Sequence, residues 1–424
     1  MAFVGIKKNG NGNSTLKRPS SSSRTSATRS SPPGYIIAKK SGTARMILKK
    51  PAQKKTAAWN KIKYVRSGTP SAKSRGDRSQ WKRTIHDFIC GDEQIVLAKL
   101  HEDGWLLDWQ GRTCPWCGVG KLGPMKGSDE RHSNYRCNNG RLCGKRVTPL
   151  HGHPILPVSN GNTWQPLGQR AAVVFCIVSG CSNSSIHKLL GVNHKAIERI
   201  NKAIQALQQR HVERVEADIQ FGDGKRWVDI EADEAMFRKQ RVTDPHGLQE
   251  VEWEQWAGVV QRGRPESLVL WRTASNRTCL RAPGPGAIRK TDWKPFALKR
   301  LQHRRLILHT DGARSYKMKI PGMLHDWVVH KKKKVKNVWL KPKYVVIKKH
   351  WLPCGTCLTV KGGTQIIDRA WRDLKKHLGA RTYKPNSPEL AAAIRSGQWN
   401  YWHRNADLFT ELGKLVDADM KARF

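Results

Sequence analysis

Between Trp164 and Gln209 the apolar residues recur every three or four positions. Ala171, Val174, Phe175 and Val178 form one stripe, the period of a helix with a single buried face. Gly180 ends that pattern, and Ser182-Asn183-Ser184-Ser185 offers N-caps for a short helix through Leu190. Gly191-Val192-Asn193 then reads as a turn, with Asn193 capping a third helix along the stripe Ala196, Ile197, Ile200, Ala203, Ile204 and Leu207. At Trp227 the period changes to two. Through Phe237 it predicts a strand with Asp229, Glu231 and Asp233 on one face and Val228, Ile230 and Ala232 on the other. Further strands are expected at Trp253–Gln261, Ser267–Thr273 and Leu306–Leu308, the last running into His309-Thr310-Asp311-Gly312. Gly362-Gly363 breaks the chain, and Thr364 stands ready to cap a helix on which Asp368, Trp371, Arg372 and Lys375 share a face.

These elements predict a multidomain chain of mixed α+β and α/β class. Four segments are expected: a disordered basic tail over 1–79, a cysteine-bearing domain with a preceding helix over 80–160, a three-helix domain over 161–218, and a sheet domain with flanking helices over 219–415. The tail is rich in Ser, Gly, Pro, Lys and Arg and reaches its first acid only at Asp77, too little apolar surface to offset ordering. It reads as a solvated tail or a polybasic arm, with Lys49, Lys50, Lys54 and Lys55 as candidates for nucleic-acid contact or nuclear import, and a transit peptide as a weaker reading.

Charge sharpens the picture. The 424 residues carry 78 Lys and Arg against 33 Asp and Glu, a formal net charge of +45. Such a chain calls for a polyanion, and nucleic acid is the readiest, because each phosphate contact releases bound counterions. An anionic membrane surface is the weaker alternative, and no apolar run approaches the roughly 20 residues that cross a bilayer, so no membrane partner is expected.

Of the ten cysteines, four follow the spacing C-x2-C-x19-C-x5-C: Cys114, Cys117, Cys137 and Cys143. Four thiolates in two knuckles suit a tetrahedral Zn²⁺, with Gly118 relaxing the first turn. The alternative is four thiols in a small core, and His132 and His151 are possible substitute ligands. Cys354-Gly355-Thr356-Cys357 has no partner pair and reads as a redox pair, a half site, or two small apolar residues beside a strand.

Helix, glycine turn, helix is the layout of a helix-turn-helix, whose second helix would present Asn193, His194, Lys195 and Arg199 to a major groove. An ordinary three-helix packing unit has the same pattern. Asp233, Asp311 and Asp368, from a strand, a strand end and a late helix, can meet to hold two Mg²⁺ or Mn²⁺ ions for in-line phosphoryl transfer. The order of three strands, an insertion, two strands and a helix fits a ribonuclease-H-like layer.

In this order the motifs resemble the Merlin-type DDE transposases and their bacterial insertion-sequence relatives, over roughly Trp81 to Phe409. The family's Asp-Glu corresponds to Asp233-Glu234, its His-Thr-Asp-Gly to residues 309–312, and a later histidine to His330. Its third-acid helix corresponds to Asp368, Trp371 and Lys375, and its closing cluster to Trp402, Arg404-Asn405 and Leu408-Phe409. Two departures stand out: the third acid is Asp where many relatives have Glu, and the insert of residues 274–300 has no evident counterpart.

The resemblance implies a zinc ribbon, a helix-turn-helix and a ribonuclease-H-like catalytic domain. It implies strand cleavage and transfer at terminal inverted repeats, by an assembly of at least two copies, in a nucleus or, in a bacterium, on the nucleoid. Arg372 and Lys375 would then contact DNA near the scissile phosphate, and His309 or His330 would either assist at the leaving group or be structural. The chief alternative is a domesticated, non-catalytic DNA-binding protein. A structure-selective nuclease and a basic RNA-packaging protein fit fewer of the motifs.

Overall fold

The alternation that begins at Trp227 folds into the central strand of a mixed sheet. A computed structural model describes residues 35–38, 45–48, 57–68, 78–127, 129, 132–156, 165–329, 333–335, 338–340, 342–379 and 381–424. His330 and the lysines of the basic tail named above lie outside these residues. In the unit Met1–Ala57, β1 (Tyr35–Ala38) pairs antiparallel with β2 (Arg45–Leu48).

The remainder, Ala58–Phe424, is one contact-dense unit with a continuous apolar core from Phe88 to Met420. α1 (Ala57–Lys61) leads into it. α2 (His86–Ile89) and α3 (Glu93–Glu102) precede a small antiparallel sheet of β3 (Leu122–Lys126), β4 (Asn134–Cys137) and β5 (Arg146–Val147). Three helices follow: α4 (Leu167–Val178), α5 (Asn183–Leu190) and α6 (His194–Glu216). The expected caps form. Ser182 accepts from the Ser185 amide, Gly191 closes α5 in the left-handed region, and Asn193 accepts from the Lys195 amide.

The main sheet comprises β6 (Val228–Thr243), β7 (Gln249–Gln261), β8 (Arg264–Arg272), β9 (Asn276–Cys279), β10 (Leu306–Thr310) and β11 (Met323–Trp327), with α7 (Lys290–Arg300) between β9 and β10. Its order is β11-β10-β6-β7-β8, with β9 paired to β7. β7 runs antiparallel to both β6 and β8, whereas β10 lies parallel to both β6 and β11. Hairpins β12 (Lys333–Val335) with β13 (Val338–Leu340), and β14 (Val346–Trp351) with β15 (Cys357–Gly362), lead to α8 (Gln365–Leu378). α9 (Pro388–Trp402) and α10 (Leu408–Arg423) complete the chain. The insert of residues 274–300 thus supplies β9 and α7, and the buried Trp293 of α7 packs edge-on against Tyr316 at 4.8 Å.

The three-helix segment and the cysteine-bearing segment are welded to the sheet. Phe409 of α10 meets Phe88, Trp105 and Phe175 at 5.0, 4.8 and 5.7 Å. Glu216, at the end of α6, accepts from the Leu270 amide, Arg395 and Gln398, joining α6, β8 and α9. The folded unit also begins earlier than composition suggests. Residues 57–68, assigned from composition to the basic tail, engage the sheet through Tyr64 and Arg66. Among the described residues no helix is long and apolar enough to cross a membrane.

Gly258 of β7 sits beneath α8, where a Cβ would stand 2.8 Å from both Trp371 and Leu270. Gly258→Val is therefore expected to lower stability by about 1–3 kcal/mol through overpacking, measured by denaturant unfolding. A variant as stable as the native chain would show that α8 does not depend on this close approach.

Candidate active site and cysteine cluster

Parallel pairing decides where the acids meet. Leu306 lies opposite Val228 and His309 opposite Glu231, so continuing the register past the end of β10 sets Asp311 beside Asp233. Asp311 follows the carboxyl end of β10, and Asp233 lies on β6 just past its parallel pairing with β10, the usual place for an α/β site. α8 crosses the same face. Its Trp371 indole donates to Asp233 Oδ2 at 3.2 Å, and Asp368 stands one turn earlier on the helix. Thr364, expected to cap α8, instead donates its hydroxyl to Asp368 Oδ2 at 3.1 Å. Asp311 Oδ1 accepts from the Ala313 amide at 3.0 Å. Asp233, Asp368, Arg372 and Lys375 line one cleft of about 440 Å³ together with Glu234, Ala235, Met236 and Trp371.

Asp233 is electrostatically exposed to its own kind. Burial pushes its carboxyl well above the usual range, and the charges of Glu234, Asp368 and Asp311 push it further in the same direction. Glu234 itself turns to the other face of β6, where it accepts from Tyr316 Oη at 2.7 Å and the Ile288 amide at 3.1 Å. The acid oxygens are not drawn together as tightly as the cysteine sulfurs. Among the described residues, Cys114, Cys117, Cys137 and Cys143 are the group whose ligand atoms all lie within 4.8 Å of one another.

The other two acids of the strand face are compensated. Asp229 Oδ1 lies 3.0 Å from His309 Nε2, and Asp229 Oδ2 accepts from Arg66 Nε at 2.6 Å. Burial raises the Asp229 carboxyl, but His309 and Arg66 outweigh it and hold it down to about 2. The other nitrogen of His309 lies 2.9 Å from Asp326 Oδ1, and His350 Nε2 lies 2.8 Å from Asp326 Oδ2. His309 is fully buried, with both ring nitrogens facing carboxylates. Glu231, also fully buried, pairs with Arg262 at 2.6 Å.

Sequence reasoning missed Tyr64, Arg66, Arg262 and Asp326, the partners of these acids. The period-two run of acids was the available signal. Three carboxylates on one buried face demand cations or donors from elsewhere in the chain.

The four cysteines form the expected cluster, which could bind a metal such as zinc. Cys114 and Cys143 sulfurs lie 3.8 Å apart, as do those of Cys117 and Cys137. Gly118 adopts φ +67°, and a side chain on Gly120 would run into the Cys137 sulfur. The 19-residue spacer forms the β3–β4 hairpin, and the wide five-residue gap closes through the Cys143 amide donating to Asn139 O at 2.8 Å. The backbone amides of Val119 and Gly120 hold the Cys117 thiol down to about 6, in the direction that favours thiolate. His132 is bonded to Asp129, and His151 packs on Trp109 and Trp116. Cys354 is exposed in the β14–β15 turn, where its thiol donates to Thr356 Oγ1 at 3.4 Å, and Cys357 opens β15, so the pair lies outside the cluster.

Asn193, His194, Lys195 and Arg199 are exposed around the start of α6 and do not line the acid cleft. Asn193 spends its side-chain oxygen on the cap, and His194 packs against His187 at 4.0 Å. Compared with protein-family models, curated proteins and solved structures, the chain matches none.

Two predictions follow from this geometry. Cys117→Ser or a strong chelator is expected to remove bound metal and lower the melting temperature, with stoichiometric zinc by elemental analysis of the native chain as the reference. A metal-free native preparation with unchanged melting would show that the cluster is a thiol core. Because the Asp233 carboxyl is raised, its stabilising contribution is complete below the ordinary carboxylate range and is lost as pH rises through its elevated value. Asp233→Asn is therefore expected to melt higher than the native chain at neutral pH without divalent cations. The gap should narrow when Mn²⁺ is added or the pH is lowered toward 4.

Proposed function

We propose that this chain is a metal-dependent DNA transposase of the Merlin type, cleaving and joining strands at the terminal inverted repeats of a mobile element. The observation that carries the reading is the juxtaposition of Asp233 and Asp311 by parallel register beneath a helix bearing Asp368. Asp233 meets an indole N–H and other carboxylates, where Asp229 and Glu231 meet cations. The sheet supports a ribonuclease-H-like domain. Counting β6, β7, β8, β10 and β11 as one to five, the order is 3-2-1-4-5, with only the second antiparallel to the rest of its neighbours' common direction on either side of the site. The cysteine hairpin supports a zinc ribbon, and α5, its glycine turn and α6 support a helix-turn-helix with Lys195 and Arg199 turned outward.

The donor set fits Mg²⁺ or Mn²⁺, hard cations that favour carboxylate oxygen. Asp233, Asp311 and Asp368 would hold them, and the mutual repulsion already felt at Asp233 is what such a charge would relieve. When bound, divalent ions activate the attacking oxygen and stabilise the leaving one. The chain's own residues do the rest. Trp371 orients Asp233, Thr364 orients Asp368, and the exposed Arg372 and Lys375 at the cleft offer cations to flanking phosphates. Gly258 lets α8 lie close to the sheet, which offsets the shorter reach of an aspartate as third acid. Two element ends must be handled together, so the working form is at least a dimer. The basic charge and the DNA substrate suit a nucleus, or a bacterial nucleoid.

The test is cleavage and joining of DNA bearing the element's own ends with Mg²⁺ or Mn²⁺. Asp311→Asn is expected to lower the rate by on the order of 10³-fold, the several kcal/mol a metal ligand supplies, while end binding persists. Sequence-selective binding with no cleavage by either protein would favour the domesticated DNA-binding reading instead.

A further inference from the structure

The first turn of an α-helix leaves backbone N–H groups without intrahelical partners. In α8 three of them are satisfied from far away in the chain. The Gln365 amide donates to Tyr64 Oη at 3.0 Å, and the Ile366 and Ile367 amides donate to Glu231 Oε2 at 2.7 and 3.0 Å. Glu231 Oε1 accepts from Tyr64 Oη at 2.7 Å and from Arg262 Nε at 2.6 Å. Its carboxylate is thus fully occupied and fully buried, and it cannot reach a substrate.

Arg262 locks the approach to the helix by donating to Lys361 O at 2.6 Å and Gly363 O at 2.8 Å. Its guanidinium lies 3.9 Å over the Tyr64 ring. The segment that brings Tyr64 is itself pinned. Arg66 bonds Asp229 and Trp227 O, and the chains lie so close here that a side chain on Gly68 would strike the Gly263 carbonyl and one on Gly263 the Ser67 carbonyl.

We propose that Glu231 and Tyr64 are positioning residues for the third acid. They fix the first turn of α8, hence Asp368, so the acid cluster forms only when residues 59–68 are docked. The chemistry of this inference rests on the transposase reading, but its geometry does not. Asp368 is the residue that follows the three capped amides, and its own amide makes the first intrahelical bond, to Thr364 O at 2.9 Å. A tilt of the first turn therefore moves it directly. Burial, then the neighbouring Glu231 charge, raise the Tyr64 hydroxyl far above the usual phenol range, so it stays a donor. In Glu231→Gln an amide NH₂ would face either the helix amides or the Tyr64 and Arg262 donors. Tyr64→Phe would free the Gln365 amide and take one donor from Glu231.

The experiment compares full-length native protein, Tyr64→Phe and Glu231→Gln in three measurements: amide exchange at residues 365–367, Mn²⁺ binding by electron paramagnetic resonance, and cleavage of end DNA across Mn²⁺ concentrations. Expected are faster exchange, weaker Mn²⁺ binding, and a kcat lowered about 10–100-fold. The Mn²⁺ needed for half-maximal rate should rise while KM for DNA holds. A merely structural role would reduce the folded fraction and leave the metal dependence of the remainder unchanged. Faster exchange with native Mn²⁺ affinity and native metal dependence would overturn the proposal, as would native protection of residues 365–367 in Glu231→Gln. If the native chain binds Mn²⁺ and the variants bind it more weakly, yet nothing is cleaved, positioning stands and the transposase reading fails.

Discussion

A buried β-strand that carries three carboxylates on one face sets the terms for the whole unit. Taking a carboxylate out of water costs several kcal/mol unless cations or donors meet it. β6 does this at Asp229, Glu231 and Asp233 in succession. The first is met by Arg66 and His309, the second by Arg262, Tyr64 and the amino end of α8. The third meets an indole N–H and other carboxylates. Compensation thus runs out at the end of the parallel strands, where the cleft opens. The contrast along a single strand separates supporting acids from candidate reacting ones more sharply than the identity of any one residue.

The same partners explain why such different stretches of chain fold as one unit. His309 and Asp326 come from β10 and β11, Arg262 from the turn between β7 and β8, and Arg66 from the segment before the cysteine hairpin. Each buried ion pair therefore also pins a chain crossing. Removing one member would leave a stranded charge, a heavier loss than removing the pair. The acids are held by a lattice of obligate pairs, and apolar packing of Gly258 against Trp371 sets how near α8 can approach.

Much of this was legible in the residue pattern, and what was not has a physical reason. The period-two run gave the start of β6 and its acid face, though the strand runs on from Phe237 to Thr243, and the stripes with Ser182, Gly191 and Asn193 gave α4 to α6, though α6 runs on from Gln209 to Glu216. These are local signals, carried by residues in direct succession. The cysteine spacing likewise gave its cluster, because a two-residue gap and a hairpin bring ligands together with little help. Cap chemistry at α8 misled. Thr364 has the right type and place for an N-cap, yet Glu231, 135 and 136 positions from the amides it meets, holds that role and leaves the hydroxyl for Asp368. Long-range partners leave no periodic trace. Tyr64 and Arg66 were hidden further by their surroundings, since a Lys- and Ser-rich stretch reads as tail even where a few of its residues are half-buried.

The insert of residues 274–300 shows the same logic on the opposite face of the sheet. Glu234 follows Asp233 directly, so the strand's alternation turns it toward the other face, although it still borders the cleft. There it needs donors of its own. Ile288, within the insert, provides a backbone amide, and Tyr316, which the insert's Trp293 packs against, provides a hydroxyl. An Asp-Glu pair in succession on one strand is thus two different residues by geometry. Asp233 has an indole N–H and like-charged neighbours, and Glu234, which also borders the cleft, takes donors that fasten a covering layer to the sheet. The insert that lacked a counterpart in the sequence reading is, in the fold, what helps to satisfy that half-buried second carboxylate.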